Sequence, residues 1–194
     1  ELSMNLVLGS SSKFRKAQMD QLGLKYECHS PNIDEDSIKD SNLGPKDISK
    51  QLSLQKAQAV LEHFPDSVII GADQVLNFKG TIFNKPGDKD NAKKQLQSLS
   101  GNTHELITSY AIITKDKQIV ETVTSIMNMR ELSQEQISRY VELDNPIYSC
   151  GAYKLETMGI ALFESIACPD HSAIIGLPLI SLTTNLKKFG IDVL

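Results

Sequence analysis

The run Val68-Ile69-Ile70-Gly71-Ala72-Asp73-Gln74-Val75, followed after a short turn by Asn84-Lys85-Pro86, constrains this chain more than any other stretch. An apolar run of this length reads as a buried strand. It delivers one carboxylate, Asp73, behind a Gly-Ala pair too small to fill space. Burying an acid is costly unless a cation or a hydrogen-bond donor compensates its charge. Asp73 therefore either begins a turn at the strand end or has a partner elsewhere in the chain. The placement of the other polar residues decides between the two.

Composition narrows the class of protein. The 194 residues fit one domain or two small lobes, with enough chain to bury a substantial core. An apolar fraction of 40% and a charged fraction of 23% are those of an ordinary soluble globular protein. The net charge of −4, with no block of like charge, argues against a general nucleic-acid surface. A pocket for a single anionic nucleotide needs only a few local cations, so it is not excluded. Cys28, Cys150 and Cys168 are odd in number and far apart, without zinc spacing, and are expected to be reduced. His29, His63, His104 and His171 are equally scattered and read as surface or core-edge residues rather than metal ligands. No apolar run approaches the roughly 20 residues of a membrane span, and no signal peptide opens the chain, so a cytoplasmic protein is expected. Glu1-Leu2-Ser3 reads as a cloning remnant ahead of Met4, leaving 4–194 as a single domain.

Along the chain, Asn5-Leu6-Val7-Leu8 reads as a short buried strand broken by Gly9-Ser10-Ser11-Ser12, and a helix follows as far as Gly23. A strand running through a small polar loop into a helix points free N–H groups and hydroxyls at whatever sits above the helix start, commonly phosphate. Lys13, Arg15 and Lys16 add cations there; the ordinary alternative is a serine cap with a solvated basic face. Tyr26 to Ser30 reads as a second short strand, and Asp34-Glu35-Asp36 as a solvated acidic loop, or else as ligands for a divalent ion. Pro45 to His63 carries a helical pattern in which Lys56 sits among apolar residues; a snorkelling surface lysine is the plain alternative. Asn77 to Gly80 turns into a strand at Thr81-Ile82-Phe83. Asp88 to Leu99 is a helix capped by Asp88 and stopped by Ser100-Gly101. Thr103–Thr114 and Gln118–Arg130 alternate as a long antiparallel pair, and Ser133 with Gln136 opens a helix to about Leu143. Gly151 to Glu164 reads as loop then strand, and Gly176-Leu177-Pro178 leads into a terminal helix. Interleaved strands and helices give an α/β fold, a mixed twisted sheet with flanking helices, with room for two lobes around a nucleotide-binding cleft.

Polar clusters fall beside strand ends and breaks: Ser10 to Lys16, Asp34 to Asp36 with Lys56, Asp73 with Lys85, and Lys154 with Glu156. Cations, carboxylates and a serine-rich helix start are what metal-assisted phosphoryl chemistry on a nucleotide needs. Spacing does not choose the reaction.

These segments resemble the Maf-like nucleoside triphosphate pyrophosphatases along nearly the whole chain. Leu6 to Lys16 resembles that family's A-S-S-S-P-x-R-R opening, Ile33-Asp34-Glu35 its D-I-D-E segment and Gln55-Lys56-Ala57 its K-A helix site. Ile70 to Val75 resembles G-[AS]-D-x-V, Asn84-Lys85-Pro86 the x-K-P turn, Ser100 to His104 S-G-x-x-H, and Ile175 to Leu179 V-G-L-P-L. Each piece is common alone; their shared order makes the match specific. Lys13 replaces the usual proline and Lys16 the usual second arginine, which keeps positive charge but loses a bidentate fork at position 16.

The resemblance implies an inosine-triphosphatase-like fold and cleavage of a nucleoside triphosphate between the α- and β-phosphates. Asp73 would be the general base, and Glu35 would bind Mg²⁺ or Mn²⁺, sharing it with Asp73. Lys56 and Lys85, with Ser10, Ser11, Ser12, Arg15 and Lys16, would hold the triphosphate. Phe14, Gln74 and Glu156 would select the base. Their set, an aromatic with glutamine and glutamate, is similar to the 7-methyl-GTP branch, whereas UTP/dTTP members carry arginine, threonine and glutamine. A carboxylate accepts from both guanine N–H groups, and an aromatic stacks on a positively charged methylated guanine; without the resemblance, Phe14 reads equally well as helix core. The expected partner is a small-molecule nucleotide, not a nucleic-acid polymer or a membrane, with a homodimer by analogy. A UTP/dTTP or inosine-triphosphate house-cleaning enzyme and a non-hydrolytic regulator of septum formation are the alternatives.

Overall fold

The computed structural model describes residues 4–194; the expected remnant Glu1-Leu2-Ser3 lies outside them. Strand β1 (Leu6–Leu8) pairs parallel with β2 (Glu27–Cys28) on one side and β3 (Val68–Phe78) on the other. With β4 (Thr81–Phe83), β5 (Thr103–Ile113), β6 (Gln118–Met129) and β7 (Phe163–Ala167) they form a seven-stranded sheet in the order β2-β1-β3-β5-β6-β7. β4 stands off this path, antiparallel to β3, and β7 is antiparallel to β6 with a register shift at Asn128/Met129. The mixed α/β sheet expected from the sequence is present.

The helices are α1 (Lys13–Gln21), α2 (Glu35–Lys39), α3 (Pro45–Leu61), α4 (Lys89–Leu99), α5 (Gln134–Asp144), α6 (His171–Ile175) and α7 (Leu179–Leu186). Their starts follow local chemistry. Ser12 caps α1 through Arg15 N, Asp88 caps α4 through Asn91 N, and Ser133 and Gln136 make a reciprocal capping box on α5. Pro45 occupies the first turn of α3.

Two compact units divide the chain. The first comprises the described residues up to Gln74, Thr108–Val123 and Asp170–Leu194; the second comprises Val75–Ile107 and Thr124–Pro169. In the first unit the twofold alternation of β3 sorts its residues between two cores. Val68, Ile70 and Ala72 pack with Leu177, Leu182 and Leu186, while Ile69 packs with Ala57 and Val60 of α3. By the same alternation Gly71 and Asp73 face α3, and Gln74 faces the opposite layer. In the second unit the imidazole of His104 is buried against Tyr153 and Phe163, with His104 Nε2 2.7 Å from Tyr153 Oη. Burial alone lowers its pKa to about 4, so this histidine is neutral.

Four details depart from the sequence expectations. The second strand is two residues long rather than five. Asp34 to Asp36 is not a loop: Asp34 accepts from Asp36 N and Ser37 N as the cap of α2. Helix α6 has no counterpart in the pattern reading. Phe14 is 48% exposed and so is not a core residue of α1. The three cysteines are free, as expected, and no helix among the described residues is long and apolar enough to cross a membrane.

Candidate active site

Gly71 sets the geometry of the first unit's polar centre. A Cβ on it would lie 2.3 Å from Ser53 O, 2.7 Å from Ala57 N and 2.9 Å from Ala57 Cβ, so the absent side chain lets α3 rest directly on β3. Lys56 lies on the stretch of α3 between those contacts. Its ammonium reaches Asp73 Oδ1 at 3.0 Å and Glu35 Oε1 at 2.7 Å, one cation joining two acids from different elements. The Lys56 side chain is only 13% exposed, which removes the surface-lysine alternative. Asp73 has found its partner and does not begin a turn.

Asp73 is 7% exposed, and its second oxygen, Oδ2, is buried without a hydrogen-bond partner. Burial raises the carboxyl above its ordinary pKa of 3.8; the Lys56 charge and hydrogen bond, and then Arg15, oppose that rise. Arg15 itself is lowered by burial and pulled back by Asp73 and Glu35. It stays charged, since guanidinium does not deprotonate in proteins. Its Nε donates to Gly176 O at 3.1 Å, which fixes the stem and leaves the fork with further donors.

The structure thus brings Arg15, Glu35, Lys56 and Asp73 into one charged group. The serine loop is more divided. Ser10 is buried, and its Oγ accepts from Ser12 N at 3.1 Å; Ser12 Oγ accepts from Arg15 N at 3.3 Å as the helix cap; Ser11 is exposed. The Lys16 carbonyl accepts from Tyr26 Oη.

Gln74 shows how a side chain can be oriented by the fold. Its Nε2 lies 3.2 Å from Ala173 O, 3.0 Å from Ile174 O and 3.0 Å from Thr108 Oγ1. Two backbone carbonyls can only accept, so they fix which end of the amide carries nitrogen and turn Oε1 away as an acceptor. The short helix α6 is clamped further by Gln18 Nε2, which donates to Ser172 O and Leu177 O. Sequence reasoning missed Gln18, whose position within α1 gives no signal beyond a polar residue among apolar ones.

Lys85 and Glu156 belong to the second unit, and both are exposed. Lys85 sits on the turn after β4, between Asn84, whose carbonyl accepts from Gln95, and the buried Pro86. Lys154 pairs with Asp144 at 3.9 Å rather than with Glu156. No group of three or more His, Cys, Asp or Glu suited to a metal occurs among the described residues.

With this geometry in place, comparison with known proteins is informative. A family model described as "Maf-like protein" matches residues 5–189. A 7-methyl-GTP pyrophosphatase of Bdellovibrio bacteriovorus is 41% identical over 183 residues, covering 94% of this chain and 96% of that protein. One from Hahella chejuensis is 39% identical over 191 residues, covering 97% and 96%. Among solved structures, a HAM1 protein from Coxiella burnetii aligns over 95% of this chain and 99% of its own, with a TM-score of 0.52 at 13% identity, a likeness of fold. The chain belongs to the Maf-like protein family.

Proposed function

We propose that this protein is a nucleoside triphosphate pyrophosphatase that hydrolyses 7-methyl-GTP, or a closely related modified purine nucleotide, to the monophosphate and pyrophosphate. The observation that carries the reading is Asp73: one oxygen tied to Lys56, the other buried and unpartnered, in a family whose relatives named above act on that nucleotide. Asp73 Oδ2 takes a proton from water as the water oxygen attacks the α-phosphorus and the bond to the bridging oxygen breaks. A carboxyl raised by burial is a stronger base than an ordinary one. Arg15, Lys16, Lys56 and Lys85, with Ser10 and Ser11, stabilise charge on the departing pyrophosphate. Ser12, its oxygen already accepting from Arg15 N, contributes mainly by ordering the loop.

The residues fit a divalent ion. Magnesium takes one or two carboxylates together with waters and substrate phosphates, and Glu35 Oε1 and Asp73 Oδ1 lie 2.7 and 3.0 Å from the same Lys56 ammonium, a convergence that one ion would share while Asp73 Oδ2 is left to the attacking water. Such an ion, Mg²⁺ or Mn²⁺, would polarise the phosphates and offset their charge.

Base choice falls to Phe14, Gln74 and Glu156. An exposed Phe14 ring offers a stacking face, and Gln74 and Glu156 offer acceptors, which suits the N–H donors on the guanine edge. The double change Gln74→Thr with Glu156→Gln is expected to shift the ratio of kcat/KM from 7-methyl-GTP toward UTP by about tenfold or more. An unchanged ratio would remove these residues from base selection.

Pyrophosphate release over a panel of nucleoside triphosphates with Mg²⁺ tests the whole proposal. The expected result is the highest kcat/KM on 7-methyl-GTP; nucleotide binding with no release on any member of the panel would support a non-hydrolytic regulator instead. The acid limb of the kcat/KM profile should lie above the ordinary carboxylate range, because Asp73 must be ionised to act and burial raises its pKa.

A further inference from the structure

The turn 154–159 in the second unit is built with more care than a surface loop requires. Lys154 O accepts from Thr157 N at 3.3 Å and from Gly159 N at 2.8 Å, closing the turn on itself. A Cβ on Gly159 would sit 2.4 Å from that carbonyl, so only glycine permits the closure. The turn is then bolted to the end of α5. Asp144, the last residue of that helix, has a side chain only 8% exposed; its oxygens accept from Tyr140 Oη at 2.7 Å and from Thr157 Oγ1 at 2.7 and 2.8 Å. Tyr140, one helical turn earlier and on the same face, accepts in turn from Lys154 N at 2.9 Å.

A buried acid that ties up three neighbours is seldom the cheapest way to fasten a loop, since apolar packing does as well or better for stability. What it adds is a fixed geometry. The tip of the turn carries Glu156, whose exposed carboxylate makes no hydrogen bond or ion pair among the described residues. A rigid support under an unengaged carboxylate is the arrangement of a binding group held ready for a ligand.

We propose that Asp144, Tyr140 and Thr157 are positioning residues for base selection, holding the 154–159 turn so that Glu156 meets the donor edge of a guanine-type base without first having to be ordered. This rests on Glu156 reading the base, as proposed above. Ordering the turn in advance spares part of the entropy that binding would otherwise consume. The effect falls on nucleotide affinity and on discrimination, not on the hydrolytic step.

The test compares Thr157→Val, which keeps the shape and deletes the hydroxyl that Asp144 holds, with Thr157→Ser, which restores it, and with Glu156→Gln as reference. kcat and KM are measured on 7-methyl-GTP and on UTP, alongside Tm. The expected result for Thr157→Val is a KM for 7-methyl-GTP raised about tenfold with kcat nearly unchanged, UTP constants at the native level, and recovery in Thr157→Ser. Tyr140→Phe, which deletes the hydroxyl at the other side of the network, should give the same split. If Glu156→Gln shifts the nucleotide ratio while Thr157→Val and Tyr140→Phe leave it native, the positioning role is overturned. Equal losses on both nucleotides overturn it too, by showing general damage. If Glu156→Gln itself leaves the ratio unchanged, base reading by Glu156 fails and the positioning role falls with it.

Discussion

Asp73→Asn is expected to reduce pyrophosphate release by about 10²–10⁴-fold while 7-methyl-GTP still binds, because the amide can bind where the carboxylate did but cannot take a proton. The stability of the same variant should rise relative to that of the native protein as pH is raised toward neutral. Burial holds the folded-state carboxyl above its ordinary 3.8, so the folded protein binds that proton more tightly than the unfolded chain does. The contribution of Asp73 to stability is therefore full below the unfolded value and is lost as pH rises through the folded one. Asparagine has nothing to lose over that range. The Tm difference, variant minus native, should grow as pH is raised from about 3.8 and then level off, at roughly 2–4 °C per kcal/mol for a chain of this size. Paired calorimetric scans from acid to neutral pH measure it. A difference that shrinks with rising pH would contradict the burial argument, and near-native turnover would remove Asp73 from the mechanism.

Gly71→Ala should be the most damaging small substitution in the first unit. The new methyl would meet Ser53 O and the Ala57 backbone, and backbone cannot swing aside as a flexible side chain does. Helix α3 has to lift, at the upper end of the about 1–3 kcal/mol that overpacking costs. Lys56 rides on the displaced segment, so kcat/KM should fall by about 100-fold, the scale of a 1 Å misplacement of a catalytic group. Gly44→Ala is the control: a Cβ there meets nothing, and the change at the helix cap should stay within about 1 kcal/mol. Thermal melts and steady-state kinetics on the two variants decide the matter; matching melts would show that α3 does not depend on the missing side chain.

What the sequence disclosed about this fold, and what it hid, follows from the range of the interactions. The buried strand that carries Asp73 was legible because an apolar run and an acid are neighbours in the chain, although β3 runs on past Asp73 to Phe78. The caps at Asp88 and Ser133 were legible for the same reason, since each acts on a residue three positions on. Helices α2 and α6, five residues each, are too brief to leave a 3.6-residue period, so Asp34 looked like one of three loop acids rather than a cap. Phe14 repeats with the apolar face of α1 yet points outward, a choice made by packing and not by pattern. Lys56 was noticed as odd among apolar neighbours, but only the close approach at Gly71 shows that it serves two acids at once. The support beneath Glu156 was invisible, because Tyr140, Asp144 and Thr157 are ordinary residues until the chain brings them together.

The grip of Gln74 on the α6 carbonyls bears on how base preference can drift among descendants of this protein. A mutation at position 74 alone alters the proposed contact to the nucleotide and also strips the Gln74 donor from Ile174 O and one of two donors, the other being Thr108, from Ala173 O. A single-step intermediate is then handicapped in folding before its new preference is of use. Lineages that change this residue should therefore carry a second change around α6 that restores a donor or removes the need for one, and a tolerant background should precede the switch in selectivity.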